Sequence, residues 1–165
     1  MKKSEKNTVA APWELETSKK EAPKTTEAQF WKWLRNQINE KKPSWKLSRI
    51  EAWSLPGIPD LLLADSSGRF HLVELKNTSS NTVRLSPHQV SFLSGHNKSL
   101  VWLLVRRISA TRKPQYYLYK ENFYSVSEQG LEIEPFCLSE EIEIILNKID
   151  DANTKNMIES ARTEY

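Results

Sequence analysis

The chain has 165 residues, of which 38% are apolar or aromatic, and its 24 Lys and Arg against 21 Asp and Glu give a formal net charge of +3. That length fits one domain with a real core and is too short for two once the polar ends are set aside, while the mild positive charge permits a polyanionic partner without requiring one. The single cysteine, Cys137, excludes an intrachain disulfide and a cysteine-built zinc site, and no apolar run reaches the roughly 20 residues that span a bilayer, so a cytoplasmic chain with no membrane partner is expected.

Residues 1–26 are mostly Lys, Glu, Thr, Ser, Ala and Pro, with Trp13 and Leu15 the main large apolar side chains, a composition that predicts a flexible N-terminal arm. From Glu27 to Ile38 the apolar positions Phe30, Trp31, Leu34 and Ile38 recur at helical spacing, with Thr25 or Thr26 as a cap. Trp31 and Trp33 cannot both face inward on one helix. Lys41-Lys42-Pro43-Ser44 breaks the helix, and Trp45 to Trp53 alternates as a strand does.

Leu55-Pro56-Gly57-Ile58-Pro59 is a punctuated loop leading into the apolar run Asp60 to Ala64, which reads as a buried strand. Asp65-Ser66-Ser67-Gly68 is a turn, and Phe70 to Lys76 resumes as a second strand, so a hairpin follows. Ser86 caps a second helix with Pro87 at its first position and Gly95 near its end. Leu100 to Val105 is another apolar run, Arg106 to Pro114 a basic turn, and Gln115 to Lys120 a further strand. Leu138, Ile142, Ile145, Leu146 and Ile149 form a helical stripe, and residues 150–165 a polar tail. The pattern predicts an α/β domain over residues 27–149, with a mixed central sheet flanked by helices.

The chemistry concentrates on the hairpin. Asp60 lies seven residues before Ser67 and Glu74 seven after it, so folding about that turn brings the two carboxylates opposite or nearly opposite each other on neighbouring strands. Lys76, two residues past Glu74, points to the same face. Facing carboxylates destabilise a sheet unless a cation lies between them, and oxygen-only ligation suits Mg²⁺, with Mn²⁺ able to substitute. Asp60, Glu74 and the carbonyl of Leu75 are the candidate ligands. Lys76 would orient or help deprotonate a water, which makes hydrolysis the natural reaction.

At these positions the chain resembles the PD-(D/E)xK nuclease superfamily, as Pro59-Asp60 followed by Glu74-Leu75-Lys76. The longer string Gly57-Ile58-Pro59-Asp60-Leu61, Val73-Glu74-Leu75-Lys76 and Leu85-Ser86-Pro87-His88-Gln89 is similar to the virus-type replication-repair nucleases and to phage Holliday junction resolvases. The resemblance spans roughly Glu27 to Val105. It implies a restriction-endonuclease-like fold and a magnesium-dependent DNA endonuclease, with branched DNA as substrate, a homodimer placing two sites about a two-fold axis, and a place in host cytoplasm if the source is a phage. It also implies an acid from the first helix, Glu27, as a further ligand, with Glu40 or Glu51 as alternatives, and a glutamine after the lysine, Gln89. A nuclease of the same fold acting on duplex or single strands is the rival reading, and a non-catalytic DNA-binding module the rival from another class.

Each fragment also has an ordinary reading. Gln89 stands three residues after Ser86, the spacing of a capping box, so it can serve the helix alone. Arg84, His88 and Lys98 are candidate contacts to nucleic-acid phosphates, as are Arg106, Arg107, Arg112 and Lys113. Charged turns are equally common as solvated surface, and that reading is slightly favoured for the Arg106–Lys113 group.

Overall fold

The computed structural model describes residues 26–51 and 54–151; the expected arm, the tail beyond 151 and the proposed strand end at Ala52 and Trp53 lie outside them. Helix α1 (Glu27–Lys41) starts where Thr26 accepts from the Gln29 N–H and the Gln29 side chain accepts from the Thr26 N–H, at 3.2 and 2.9 Å. This capping box, with Glu27 in the first turn and Lys41 in the last, satisfies the helix ends and complements the dipole. Phe30, Leu34 and Ile38, one turn apart, are the buried face, each contributing about 1.5–3 kcal/mol of apolar burial.

Strand β1 (Lys46–Arg49) pairs with β2 (Leu61–Ala64), and β2 with β3 (Phe70–Thr78), both antiparallel. After α2 (Pro87–Gly95) the chain returns as β4 (Val101–Arg107), parallel to β3, then turns back into β5 (Gln115–Tyr119). A short helix α3 (Phe123–Gln129) and a 3-10 turn at Gly130–Glu132 lead to β6 (Cys137–Ser139), and helix α4 runs from 142 to the last described residue. The six strands lie in sequence order, mixed in direction. Among the described residues no helix is long and apolar enough to cross a membrane.

Two cores cover the two faces of this sheet. One joins α1 and α4 to Leu61, Leu63, Val73, Leu75, Trp102, Leu104 and Leu118. The other joins α2 and α3 to Leu103, Val105, Tyr117 and Tyr119. Alternating residues of β4 serve opposite cores, which is why the whole strand is apolar up to Val105.

The α/β class, the mixed sheet and the order helix, three strands, helix, strand match the expectation. Several local assignments differ. Strand β1 is limited to four residues, and beyond it Ile50 only donates one backbone bond to Asp60, at 2.7 Å. Arg106 and Arg107 belong to β4, not to a turn. Leu138 fits the helical stripe by spacing, yet it pairs with Tyr117 across the sheet; the Ser139 hydroxyl then accepts from Glu141 N–H and the helix begins only at Ile142. Trp31 and Trp33 are both partly buried against the first core, because Trp33 lies flat on Tyr116 with ring centroids 5.4 Å apart.

Candidate active site

The β2–β3 register runs Leu61↔Val73, Leu62↔Leu72 and Leu63↔His71. Extended one step, it sets Asp60 opposite Glu74, the pairing that the seven-residue symmetry about Ser67 predicts. Asp60 is fastened there by the backbone N–H of Leu75, which donates to Oδ2 at 3.1 Å. Gly57, in the loop before it, has φ +93° and packs so close to the His88 carbonyl that a Cβ would collide with it. Only glycine therefore lets this loop lie against the first turn of α2.

Glu74 is 1% exposed. Its Oε1 receives Lys76 Nζ at 2.9 Å and Gln89 Nε2 at 2.5 Å. Its Oε2 is buried with no hydrogen-bond partner among the described residues. Burial, followed by the negative charge of Asp60, pushes the Glu74 carboxyl up to about 7, against the opposing pull of Lys76. Lys76 behaves oppositely. Burial alone would lower its pKa, but Glu74, Glu27 and Asp60 together outweigh burial and raise it, so with these neighbours it holds its proton.

The Gln89 side chain bonds both to the helix cap and to Glu74. Its Oε1 accepts the Ser86 N–H at 2.9 Å, completing the capping box, while its Nε2 donates to Glu74. The two ends of one amide thus tie the start of α2 to the carboxylate. Glu27, the first residue of α1, reaches the cluster through Lys76 at 3.5 Å and is half exposed. Asn77 helps hold that helix start, donating from its side chain to the Thr26 carbonyl at 2.9 Å. Glu40 sits near the opposite end of α1, about 20 Å away at 1.5 Å per residue, and Glu51 is exposed.

Asp60, Glu74, Lys76, Gln89 and Glu27 therefore converge, with the Leu75 backbone between the two acids. No group of three or more His, Cys, Asp or Glu side chains suited to a metal occurs among the described residues, so the oxygen donors on offer are the Asp60 and Glu74 carboxylates and a backbone carbonyl. Their chemistry fits a hard divalent cation, because the buried Glu74 Oε2 is an acceptor left without a donor. His88, in the first turn of α2, and Arg84, in the loop before it, are exposed. Lys98 is exposed in the turn after α2, ahead of Val101, which pairs with Leu72 two residues before Glu74 on β3.

The sequence pattern gave no weight to a second polar cluster at the hairpin's turn. Asp65, with a fully buried side chain, accepts from Ser67 N–H at 2.8 Å, Arg69 N–H at 3.0 Å and Arg69 Nε at 2.9 Å, and its Oδ2 lies 3.1 Å from His71 Nε2. Trp102 Nε1, a donor only, points at His71 Nδ1 at 3.1 Å, so Nδ1 accepts and the imidazole proton sits on Nε2, facing Asp65. Burial lowers the pKa of His71. An acid ending a strand, followed three residues later by Gly68, was the available signal.

No protein-family model and no curated protein matches the chain. Among solved structures it is similar to Hjc, a Holliday junction resolvase from the archaeal hyperthermophile Archaeoglobus fulgidus, with a TM-score of 0.40 and 13% identity over 61% of this chain and 97% of that one. The functional reading rests on the site's own geometry.

Proposed function

We propose that the chain is a divalent-cation-dependent nuclease that hydrolyses DNA phosphodiester bonds. The observation that carries this reading is Glu74: buried beside a second acid, with one oxygen held by Lys76 and Gln89 and the other unpartnered. A structural carboxylate this deeply buried is ordinarily satisfied at both oxygens. An acceptor left open next to Asp60 is instead suited to a cation that the two acids and the Leu75 carbonyl would hold, Mg²⁺ by preference and Mn²⁺ as a substitute. When bound, such an ion would polarise a phosphate oxygen and acidify a water.

The chain's own residues supply the rest. Lys76, held in its charged form by its acidic neighbours, offers donors to the attacking water and to a non-bridging phosphate oxygen, offsetting the negative charge that builds there. Gln89 locks the Glu74 rotamer, and Glu27 steadies the lysine. In the reaction the water oxygen bonds to phosphorus and loses a proton, the bond from phosphorus to the departing sugar oxygen breaks, and that oxygen takes up a proton. The narrower reading, cleavage of branched DNA by a homodimer, rests on the resemblance of the Gly57–Leu61, Val73–Lys76 and Leu85–Gln89 strings to junction resolvases and on the need for two sites to make paired cuts.

The test is a panel of junction, fork, flap, duplex and single-stranded DNA incubated with the full chain in Mg²⁺ and in EDTA. Cutting in Mg²⁺ alone is expected, with Asp60→Asn losing it while keeping DNA binding. Absence of cutting on every substrate would overturn the nuclease reading in favour of a non-catalytic DNA-binding module, and equal loss of binding and cutting in Asp60→Asn would remove the ligand role.

A further inference from the structure

A cleft of about 490 Å³ opens beside the far ends of β3 and β4, lined by Ser79, Arg107, Ser109, Thr111, Arg112 and Lys113 among others. Three cations and three hydroxyl side chains face it, and no carboxylate does. Among the described residues none of Arg107, Arg112 and Lys113 forms an ion pair. Uncompensated positive charge gathered in one concavity raises the local concentration of anions and favours a phosphate over water.

The cleft's position gives this charge a purpose. In the parallel β3–β4 register Glu74 pairs with Leu103, Lys76 with Val105 and Thr78 with Arg107. Registered residues of parallel neighbours share a face, and Leu103 and Val105 lie in the core on the α2 side, so Arg107 leaves the sheet on the same face as Glu74 and Lys76. It stands two residues further along and one strand over. At about 3.3 Å per residue and 4.8 Å between strands, that is roughly 8 Å from Lys76 in backbone terms. The separation is of the order of the through-space distance between neighbouring phosphates of one strand, which exceeds the roughly 3.4 Å axial rise because the backbone winds round the axis. The Thr78 carbonyl accepts the Ile108 N–H at 2.8 Å, which ties the rim of the cleft to the strand that carries Glu74 and Lys76.

We infer that the Arg107–Arg112–Lys113 cleft is a subsite for a backbone phosphate of the nucleic-acid strand whose scissile phosphate lies at Glu74 and Lys76, close by on the same strand. This deepens the nuclease reading and rests on it. The subsite carries no base-reading geometry, so it positions the strand without specifying sequence.

The experiment measures binding of fluorescein-labelled duplex and four-way-junction DNA by the full chain, with Ca²⁺ replacing Mg²⁺, across a KCl series. Arg107→Ala and the double variant Arg112→Ala/Lys113→Ala are compared with wild type and with Lys148→Ala, which removes an exposed charge on α4. Every phosphate that the protein no longer neutralises lowers the slope of log affinity against log salt by about 0.9. The subsite predicts such a drop in both pocket variants and none in the control, together with a several-fold rise in KM for cleavage and kcat nearly unchanged. Unchanged slopes in both pocket variants overturn it. Arg112 and Lys113 are exposed, so the double variant keeps the test decisive even if Arg107→Ala fails to fold. If the slopes fall but no DNA is cut in Mg²⁺, the phosphate site stands and the nuclease reading fails; if DNA is cut and the slopes hold, the reverse follows.

Discussion

The β2–β3 hairpin carries a buried carboxylate near each end, and the two have opposite fates. At the turn, Asp65 gathers four donors and is drawn down to about 2: burial alone would raise it, but the Arg69 and Ser67 amides, His71 and the Arg69 guanidinium outweigh burial. At the open end, Glu74 has partners on one oxygen only, faces Asp60, and is pushed up to about 7. The hairpin is shared and both acids are buried, yet the shifts have opposite signs. A carboxylate satisfied on all sides stabilises the fold, whereas one left half-satisfied costs stability that only a ligand can recover.

The largest way to break this comparison is Glu74→Gln. Cleavage should fall by about 10³-fold, since a ligand contributing roughly 4 kcal/mol to transition-state charge is removed. Stability should move the other way. Glu74 has a folded pKa above its ordinary 4.5, so wild type loses stability as pH rises from there to about 7. Glutamine has no proton to lose. In EDTA the variant should therefore gain on wild type between pH 5 and pH 8, by up to about 3 kcal/mol. Paired denaturant titrations check this, and a pH-independent difference would mean that Glu74 is not frustrated at all.

Asp65→Asn is the converse. It should destabilise by about 2–3 kcal/mol at pH 7, because the amide NH2 replaces an acceptor and meets some of the four donors now held by a carboxylate with no exposure of its own, while kcat of the folded fraction stays within a few-fold of wild type. Asp65 has a depressed folded pKa, so its contribution is complete above its ordinary 3.8 and vanishes as pH falls through about 2. The gap between wild type and variant should close over that window. A large loss of kcat in folded Asp65→Asn would show that the turn also holds the active register, and would blur the division between the two ends.

Much of the open end was legible because it is local. Seven-residue symmetry about a turn, alternation along a strand and the capping-box spacing at Ser86 and Gln89 each need only a short window of sequence. The turn cluster was not, since it joins Asp65 and His71 to Trp102, thirty-one residues past His71 on another strand, and nothing in any one window marks that contact. Helix α3 and strand β6 escaped for a different reason. Both are short, and Asn122 at the head of α3 sits at φ 60° without a side-chain cap bond, so the usual start signal is missing. Arg107 was a candidate by its charge, but its placement on the face of Glu74 needed the β3–β4 register, which only a folded sheet provides.

Gln89→Ala sharpens the comparison at the level of a single partner. It removes one of the two donors to Glu74 Oε1 and half of the capping box. Loss of an orienting partner of this kind typically costs 10–100-fold in metal affinity or activity. Cleavage should fall within that range and recover in part at higher Mg²⁺, with a stability loss of about 1 kcal/mol from the cap. Full activity at low Mg²⁺ would reduce Gln89 to a helix cap.

Arg69→Ala asks the same question at the other end, where the answer should be small. The guanidinium is one of four donors to Asp65, and its side chain is 30% exposed. The Ser67 and Arg69 amides and His71 remain in place when it is removed, because two of them are backbone and the third is fixed by Trp102. An ion pair open to water at one partner contributes little, so the cost should be about 1 kcal/mol or less and cleavage unchanged. The acid transition should shift slightly upward in pH, as Asp65 loses one of the interactions holding its pKa down. Thermal melts of Arg69→Ala and Gln89→Ala, set beside their Mg²⁺ titrations, then separate a redundant site from one without redundancy: the first should barely change in either measurement, the second mainly in its response to the metal.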